Sequence, residues 1–157
     1  YVIGGYDGNG YLSDCERFHI TLEKWEALEP LPQACCFSSV IALEESRYLY
    51  ALGGEFKNDE IDLIQRLSLA ELRWDILELK LPKPSLDIAC FKLDESQVYF
   101  VISKVLYSFT PQANSINQVK ALSYDVFSYC GPSYYSKGVL YTSSIRSFPY
   151  EIFLGII

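Results

Sequence analysis

Hydrophobic and polar residues alternate in short stretches along most of the chain, and turn-forming residues separate these stretches. Val, Ile, Tyr and Phe are enriched in them, which is typical of half-buried strands. Only SLAEL (68–72) has helix-forming composition, and it is too short to stand as a helix. The pattern predicts an all-β chain with strands at 1–5, 14–20, 24–28, 37–43, 47–53, 61–69, 73–79, 86–93, 97–103, 105–110, 117–122, 128–135, 138–143 and 150–156.

The strands belong to a repeat with a period of about 49 residues. The opening YVIGG is followed by YALGG (50–54), which places Tyr50 on Tyr1 and Trp74 on Trp25. LEESRYLYALGG (43–54) matches LDESQVYFVISK (93–104), although the two glycines have become Ser-Lys. SKGVLYTSS (136–144) is a weaker fourth copy. A repeat of this length is typical of solenoids, propellers and arrays.

A second mark of the repeat is an aromatic or aliphatic residue followed by Trp after six intervening residues. Phe18 and Trp25 have this spacing, Leu67 and Trp74 repeat it, and Phe109 and Ile116 keep it with Ile in place of Trp. An even number of intervening residues lets a hairpin place its two ends directly opposite each other. Since Thr21-Leu22 and Ala70-Glu71 are poor two-residue turns, we expect longer loops in these hairpins.

These features resemble the kelch repeat, whose marks are a hydrophobic strand ending in Gly-Gly and then an aromatic residue and a Trp six residues apart. The matching residues are Gly4, Gly5, Phe18, Trp25, Gly53, Gly54, Leu67 and Trp74. The resemblance implies a β-propeller in which each repeat forms one four-stranded antiparallel blade. It implies part of a kelch-type propeller with about three to four blades, in units of about 1–33, 34–85, 86–127 and 128–157. Both tryptophans are then expected to be buried between blades.

The division of the chain into blades is uneven. Residues 1–28 would supply the second to fourth strands of one blade, and 128–157 the first three strands of another. Because the chain also lacks methionine, we expect it to be part of a larger propeller. Exposed strand edges favour association with other chains, so we expect the 157-residue chain alone to self-associate. The alternative is a small ring in which the first and last units close on each other.

Charge and cysteine content narrow the class of partner. The net charge is −7 and no stretch is basic, which disfavours nucleic acid and anionic membranes as partners. No apolar run reaches the roughly 18 residues of a membrane span. The five cysteines are odd in number and have no metal-site spacing, so we expect reduced thiols in a cytoplasmic or nuclear protein. A redox-sensor role for Cys35 and Cys36 is the alternative to simple packing.

The resemblance also implies a function, because kelch propellers mostly bind other proteins through loops on one face. Many are linked to a BTB or F-box domain and recruit substrates to ubiquitin ligases, whereas others bind actin. The loops after the glycine pairs are YDGNGYLSD (6–14) and EFKNDEID (55–62), and loop aromatics suit interaction hot spots. We expect a protein partner rather than a small-molecule substrate, with contacts from Tyr6, Asp7, Asn9, Tyr11, Phe56, Asn58 and Asp59.

Catalysis is the competing hypothesis, because some copper-dependent oxidases also resemble kelch propellers. A copper site needs several converging imidazole or phenolate ligands, and His19 is the only histidine of the chain. No phosphate-binding loop or Ser-His-Asp set can be assembled. The sequence therefore predicts a non-enzymatic protein without metal or cofactor. A degenerate product without independent function is a third possibility, since the later units have lost the glycine pair and the Trp.

Overall fold

The computed structural model of the protein describes residues 1–123 in full and, beyond them, the backbone of three strands. The strands form consecutive antiparallel sheets whose order follows the chain. The first sheet contains β1 (Val2–Tyr6), β2 (Tyr11–His19) and β3 (Lys24–Ala27). The second contains β4 (Ser39–Leu43), β5 (Tyr48–Leu52), β8 (Ile64–Ser68) and β9 (Arg73–Ile76), and the short hairpin β6 (Glu55–Phe56) and β7 (Asp59–Glu60) emerges between β5 and β8.

The third sheet contains β10 (Ile88–Phe91), β11 (Val98–Ile102), β12 (Val105–Thr110) and β13 (Ser115–Ala121), and the fourth contains β14 (Ser133–Ser136), β15 (Val139–Ser144) and β16 (Ser147–Phe153). Pro111–Ala113 is a 3₁₀ turn. Among the described residues, no helix has the length and hydrophobicity that a membrane crossing requires. The predicted all-β architecture is confirmed: the described residues form two four-stranded sheets, two three-stranded sheets and the two-stranded hairpin of β6 and β7.

The hairpins that close the first three sheets confirm the spacing argument. Phe18 lies opposite Trp25, Leu67 opposite Trp74, and Phe109 opposite Ile116. Each hairpin has a four-residue loop, as expected, and the last loop residue has positive φ. These residues are Glu23, Leu72 and Asn114, with φ values of 52°, 56° and 48°. The third unit therefore keeps the backbone of the repeat even though it has lost the Trp.

The glycine pairs allow neighbouring repeats to approach closely. Gly4 and Gly53 have φ values of 57° and 58°, and a Cβ on either would lie 2.5 Å from the Cys35 carbonyl oxygen or 2.3 Å from that of Ser85. The following Gly5 and Gly54 donate their N–H groups to the same two carbonyls, at 2.9 and 2.8 Å. Since Cys35 and Ser85 lie just before the next sheet, each glycine pair joins its own sheet to the entry of the next one.

The core consists of layers between successive sheets. Leu49, Ala51, Leu67 and Trp74 of the second sheet pack against Cys15 of the first and against Leu31 and Cys35 of the linker. The layer between the second and third sheets contains Tyr50, Leu52, Phe100 and Phe109 among others. Burial of both faces by stacking is the way in which repeat proteins stabilise sheets that cannot bury themselves.

The third unit departs from the sequence alignment by one residue. The alignment places Phe100 on Tyr50, which predicts that each side chain lies on the corresponding face of its own sheet. Phe109, the counterpart of Leu67, instead pairs with Val98, whereas Leu67 pairs with Leu49. A slip of one residue moves side chains to the other face of a strand. Phe100 therefore faces the second sheet and shares one core layer with Tyr50.

The burial of the two tryptophans contradicts half of the sequence prediction. Trp74 is 8% exposed, because its face of the second sheet is covered by the first sheet and the linker. Trp25 is 55% exposed and touches Phe18 on the corresponding face of the first sheet, with ring centroids 5.2 Å apart. No described residue forms a comparable layer over that face. Cross-strand pairing alone therefore did not bury Trp25, since burial depends on a neighbouring sheet.

Two further differences concern the extent of the elements. The hairpin of β6 and β7 was not predicted, because its strands have only two residues each. The turn Lys57-Asn58 has positive φ at both positions, 54° and 67°, as a two-residue hairpin turn requires. Cys130 and parts of the last three predicted strands, 128–135, 138–143 and 150–156, lie outside the described residues.

Candidate functional site

The loops that follow the two glycine pairs lie side by side. In the first sheet, Tyr6 pairs with Tyr11 across the loop, and in the second, Glu55 pairs with Glu60, 49 residues further along in both strands. The loops are therefore equivalent hairpins on adjacent repeats. The isolated bridge between Cys36 and Glu55 ties the second hairpin to the entry of its own sheet. The linkers between sheets thus lie at the same end of the sheets as these loops.

Three aromatic rings connect the two loops, and we call Tyr6, Tyr11 and Phe56 the loop cluster. The rings of Tyr6 and Tyr11 have centroids 5.3 Å apart at 63°, and those of Tyr11 and Phe56 are 5.6 Å apart at 64°. Both contacts are edge-to-face, which is a favoured arrangement of aromatic pairs. Tyr6 is 55% exposed, whereas Tyr11 and Phe56 are half-buried. The loop cluster therefore offers one accessible ring on a packed base.

Tyr11 fixes the second loop by hydrogen bonds as well as by ring contacts. Its hydroxyl donates to Glu55 Oε1 at 2.7 Å and accepts the Asn58 N–H at 2.9 Å. The hydrogen bond to the Glu55 carboxylate, together with partial desolvation, raises the pKa of Tyr11. The phenol therefore keeps its proton at neutral pH and can donate it to Glu55.

Asp7 shapes the first loop. Its carboxylate Oδ1 accepts the N–H groups of Asn9 at 2.8 Å and Gly10 at 2.9 Å. These two hydrogen bonds lower the pKa of Asp7, because they stabilise the charged form. Asp7 is therefore an ionised and exposed carboxylate on the residue that follows Tyr6.

The structure brings together four of the seven residues expected to make contacts, namely Tyr6, Tyr11, Phe56 and Asn58. Asp7 and Asn9 belong to the turn of the first loop, and Asp59 is exposed opposite Phe56 in the second hairpin. Sequence reasoning missed Glu55 and Lys57. The period of 49 residues aligns Tyr6 with Glu55, so extending the repeat into the loops would have indicated that the two hairpins are neighbours.

His19, the histidine considered as a catalytic or metal-binding residue, lies far from the loop cluster and contacts Glu26. His19 Nε2 lies 2.7 Å from Glu26 Oε2, which also accepts from Arg17 Nε at 2.6 Å. His19 ends the strand that Tyr11 begins, so about 26 Å of extended backbone separates them. Within the described residues, no three His, Cys, Asp or Glu side chains are arranged to hold a metal ion.

Cys15, Cys35, Cys36 and Cys90 are buried thiols in the reduced state. Burial raises the pKa of the Cys15 and Cys35 thiols and raises that of Cys90 to about 11. A buried thiol with a raised pKa is a poor nucleophile and a poor redox sensor. The packing role of Cys35, which lies 3.0 Å from Ser38 Oγ, therefore explains this residue better than redox chemistry does.

Stacked antiparallel sheets joined by glycine pairs, with paired loops at one end, define a propeller-type repeat protein. Residues 1–32 match the family model described as the kelch motif. A kelch repeat-containing protein of Dictyostelium discoideum is 32% identical over 80 residues, which cover 49% of this chain and 12% of that protein. Human Kelch-like protein 33 is 32% identical over 94 residues, which cover 58% of this chain and 16% of that protein. The predicted resemblance to the kelch repeat is therefore confirmed, with the kelch motif matched at residues 1–32.

Proposed function

We propose that this chain is a protein-interaction module and that the loop cluster is its binding surface. Kelch repeats generally act as protein-interaction modules. The observation that carries the proposal is the packing of loops from two successive repeats into one aromatic surface with the ring of Tyr6 exposed. Tyr is enriched in interaction hot spots because it combines a large apolar area with a polar tip.

Two cellular contexts are compatible with this role: substrate recognition within a ubiquitin ligase and scaffolding on the cytoskeleton. The four buried, reduced thiols among the described residues support a reducing compartment, the cytoplasm or the nucleus. Binding rather than catalysis is supported by the hydrogen bond between His19 and Glu26 and by the raised pKa values of the thiols. The chain spans only 12% and 16% of the two kelch relatives, so the names of these relatives do not favour one context over the other.

Affinity capture from cells with a matched variant tests the proposal. Wild type is compared with the double variant Tyr6→Ser and Phe56→Ser, and with Ile20→Ser and Leu22→Ser as control. Ile20 and Leu22 are also exposed apolar residues but lie in the turn at the opposite end of the first sheet. We expect at least one partner that the control retains and the loop variant loses. Ligase subunits among the partners would support the first context, and actin the second.

An identical set of captured proteins for the wild type and the loop variant would contradict the proposal. Thermal unfolding of all three proteins provides the necessary check, because equal midpoints exclude a general loss of folding. The half-buried Phe56 makes this check important, since its removal also takes away a ring contact with Tyr11.

A further inference from the structure

We propose that the loop cluster recognises a positively charged side chain of its protein partner, arginine above all, seated on the Tyr6 ring beside the Asp7 carboxylate. This inference rests on the proposed function, since it assigns the chemistry of the partner to the same surface. It follows from the ring geometry, from a cation that the chain itself places on the cluster, and from the charges around it.

The Tyr6 ring is held in place although half of it is exposed. Its contact with Tyr11 fixes one side, and its hydroxyl donates to the carbonyl oxygen of Gly8 at 3.4 Å. A ring that is already ordered loses little conformational entropy when a partner binds. Tyr6 can therefore present its face to a ligand without rearrangement of the loop.

Phe56, at the other end of the loop cluster, already carries a cation. Lys57 Nζ lies 5.1 Å from the centroid of the Phe56 ring, within the distance at which cation–π attraction operates. Tyr attracts cations in the same way. Residues 6–11 of the first loop contain no Lys, Arg or His. The first loop therefore supplies no cation of its own to the Tyr6 ring, which leaves this place to the partner.

The charges of the two loops favour a positive partner. Residues 6–11 and 55–60 contain four carboxylates, Asp7, Glu55, Asp59 and Glu60, against the single ammonium of Lys57. Asp7, Asp59 and Glu60 are exposed, and the whole chain carries a net charge of −7. Such a surface attracts basic segments and repels acidic ones. Arginine suits it better than lysine, because the planar guanidinium stacks on an aromatic face while it donates to a carboxylate.

Fluorescence anisotropy with designed peptides tests the inference on the intact chain. The probe is a labelled Gly/Ser peptide that carries several arginines, and its control carries citrulline, the neutral analogue, at the same positions. We expect the arginine peptide to bind and the citrulline peptide to bind much more weakly. Tyr6→Leu, which keeps an apolar side chain but removes the ring, should weaken arginine binding by about two- to fivefold.

A matched pair of charge variants separates local recognition from general attraction. Asp7 and Asp94 are both exposed, and each accepts the N–H two residues further on, at 2.8 and 2.7 Å. Asn keeps such a turn, so Asp7→Asn and Asp94→Asn remove the same charge from similar turns, of which only the first adjoins the loop cluster. We expect only Asp7→Asn to weaken binding of the arginine peptide beyond the small effect of net charge.

Three results would overturn the inference: no binding of the arginine peptide, equal binding of the citrulline peptide, or equal weakening by Asp7→Asn and Asp94→Asn. None of them would overturn the interaction module itself. That proposal is tested by the capture experiment. A partner that lacks exposed basic residues could still bind the wild type there and fail to bind the variant of Tyr6 and Phe56. The failures of the two proposals are therefore distinguishable.

Discussion

At the scale of single residues, the contacts between repeats depend on positions where no side chain fits. Gly53 has a left-handed φ of 58° and lies against the Ser85 carbonyl, so both its conformation and its surroundings exclude a Cβ. The third unit has Ser103 and Lys104 instead, and there the chain turns directly from β11 into β12. Ser103 still has positive φ, at 56°. The backbone conformation has thus persisted where the loop has been lost.

Gly53→Ala is expected to destabilise the protein by at least about 2 kcal/mol, through left-handed strain and the clash with the Ser85 carbonyl. Gly10→Ala is the control, because a Cβ there meets nothing within 4 Å and φ is not left-handed. Denaturant unfolding measures both variants. A midpoint for Gly53→Ala equal to that of Gly10→Ala would contradict the role assigned to the glycine pair.

The two tryptophans allow a comparison of one residue type in two environments. Trp74→Ala should cost roughly 3–5 kcal/mol of unfolding free energy, the range for a large aromatic residue in a core. Trp25→Ala should cost less than about 1 kcal/mol, since most of that ring is already in water. Chemical denaturation under conditions that keep the chain monomeric checks the difference. Equal losses of unfolding free energy in the two variants would contradict the exposure of the Trp25 ring.

Cys90 provides a pH dependence with a definite sign. Burial raises the pKa of its thiol from 9.0 to about 11, so the unfolded chain releases this proton at lower pH than the folded one. Its contribution to stability is full below pH 9 and disappears as the pH rises towards 11, by up to about 3 kcal/mol. The free energy of unfolding, measured at several alkaline pH values, should fall less steeply with pH for Cys90→Ala than for the wild type. An equal fall in both proteins would contradict the raised pKa of Cys90.

At the scale of elements, hairpin loops provide both the regularity and the candidate binding surface. At one end of the sheets, each four-residue loop finishes with a residue in the left-handed conformation. The glycine-pair loops at the other end pack into the loop cluster. The second of these, the hairpin of β6 and β7, has only two residues in each strand. Such a short hairpin is not stable alone, so its order depends on Cys36 and Tyr11.

Tyr11→Phe should loosen that hairpin without unfolding the sheets. The variant keeps the ring contacts but removes the acceptor of the Asn58 N–H and the donor to Glu55. Loss of about 1 kcal/mol of hydrogen bonding corresponds to roughly fivefold faster amide exchange, which hydrogen exchange of residues 57–60 can measure. Tyr6→Phe is the control, because it removes only the 3.4 Å contact with Gly8 in the first loop. Similar exchange rates in both variants would contradict the anchoring role of Tyr11.

At the scale of the whole molecule, one apolar face of the first sheet is exposed. Val2, Phe18 and Trp25 lie on it and are all more than 40% exposed. Their counterparts 49 residues later, Ala51, Leu67 and Trp74, are buried in the layer between the first and second sheets. The same chemistry that joins two repeats therefore remains available for association on the first sheet.

The 157-residue chain alone is accordingly expected to self-associate through this face. Phe18→Lys combined with Trp25→Lys should shift it towards the monomer mass of 17.9 kDa, because charges oppose burial of the face. Ile20→Lys with Leu22→Lys adds the same charge in the adjacent turn and should leave association unchanged. Light scattering measures the mass. A monomeric wild-type chain would contradict this prediction.

The repeat and its hairpins were predictable from sequence because they depend on local spacing. Six intervening residues are enough to pair Phe18 with Trp25, and the recurrence of Gly-Gly marks where two backbones approach. Both are properties of neighbouring residues or of the repeat period. They do not require knowledge of what packs against a sheet.

Only the tertiary structure decided the remaining features, because each depends on contacts between repeats. The burial of Trp74 and the exposure of Trp25 depend on whether a neighbouring sheet covers the face. The one-residue register change that places Phe100 opposite Tyr50 depends on which face can fill the core layer. The contact of Tyr11 with Phe56 joins residues 45 positions apart whose loops meet only when two sheets stack. Sequence thus determined the blades, and stacking decided which residues became core and which became surface.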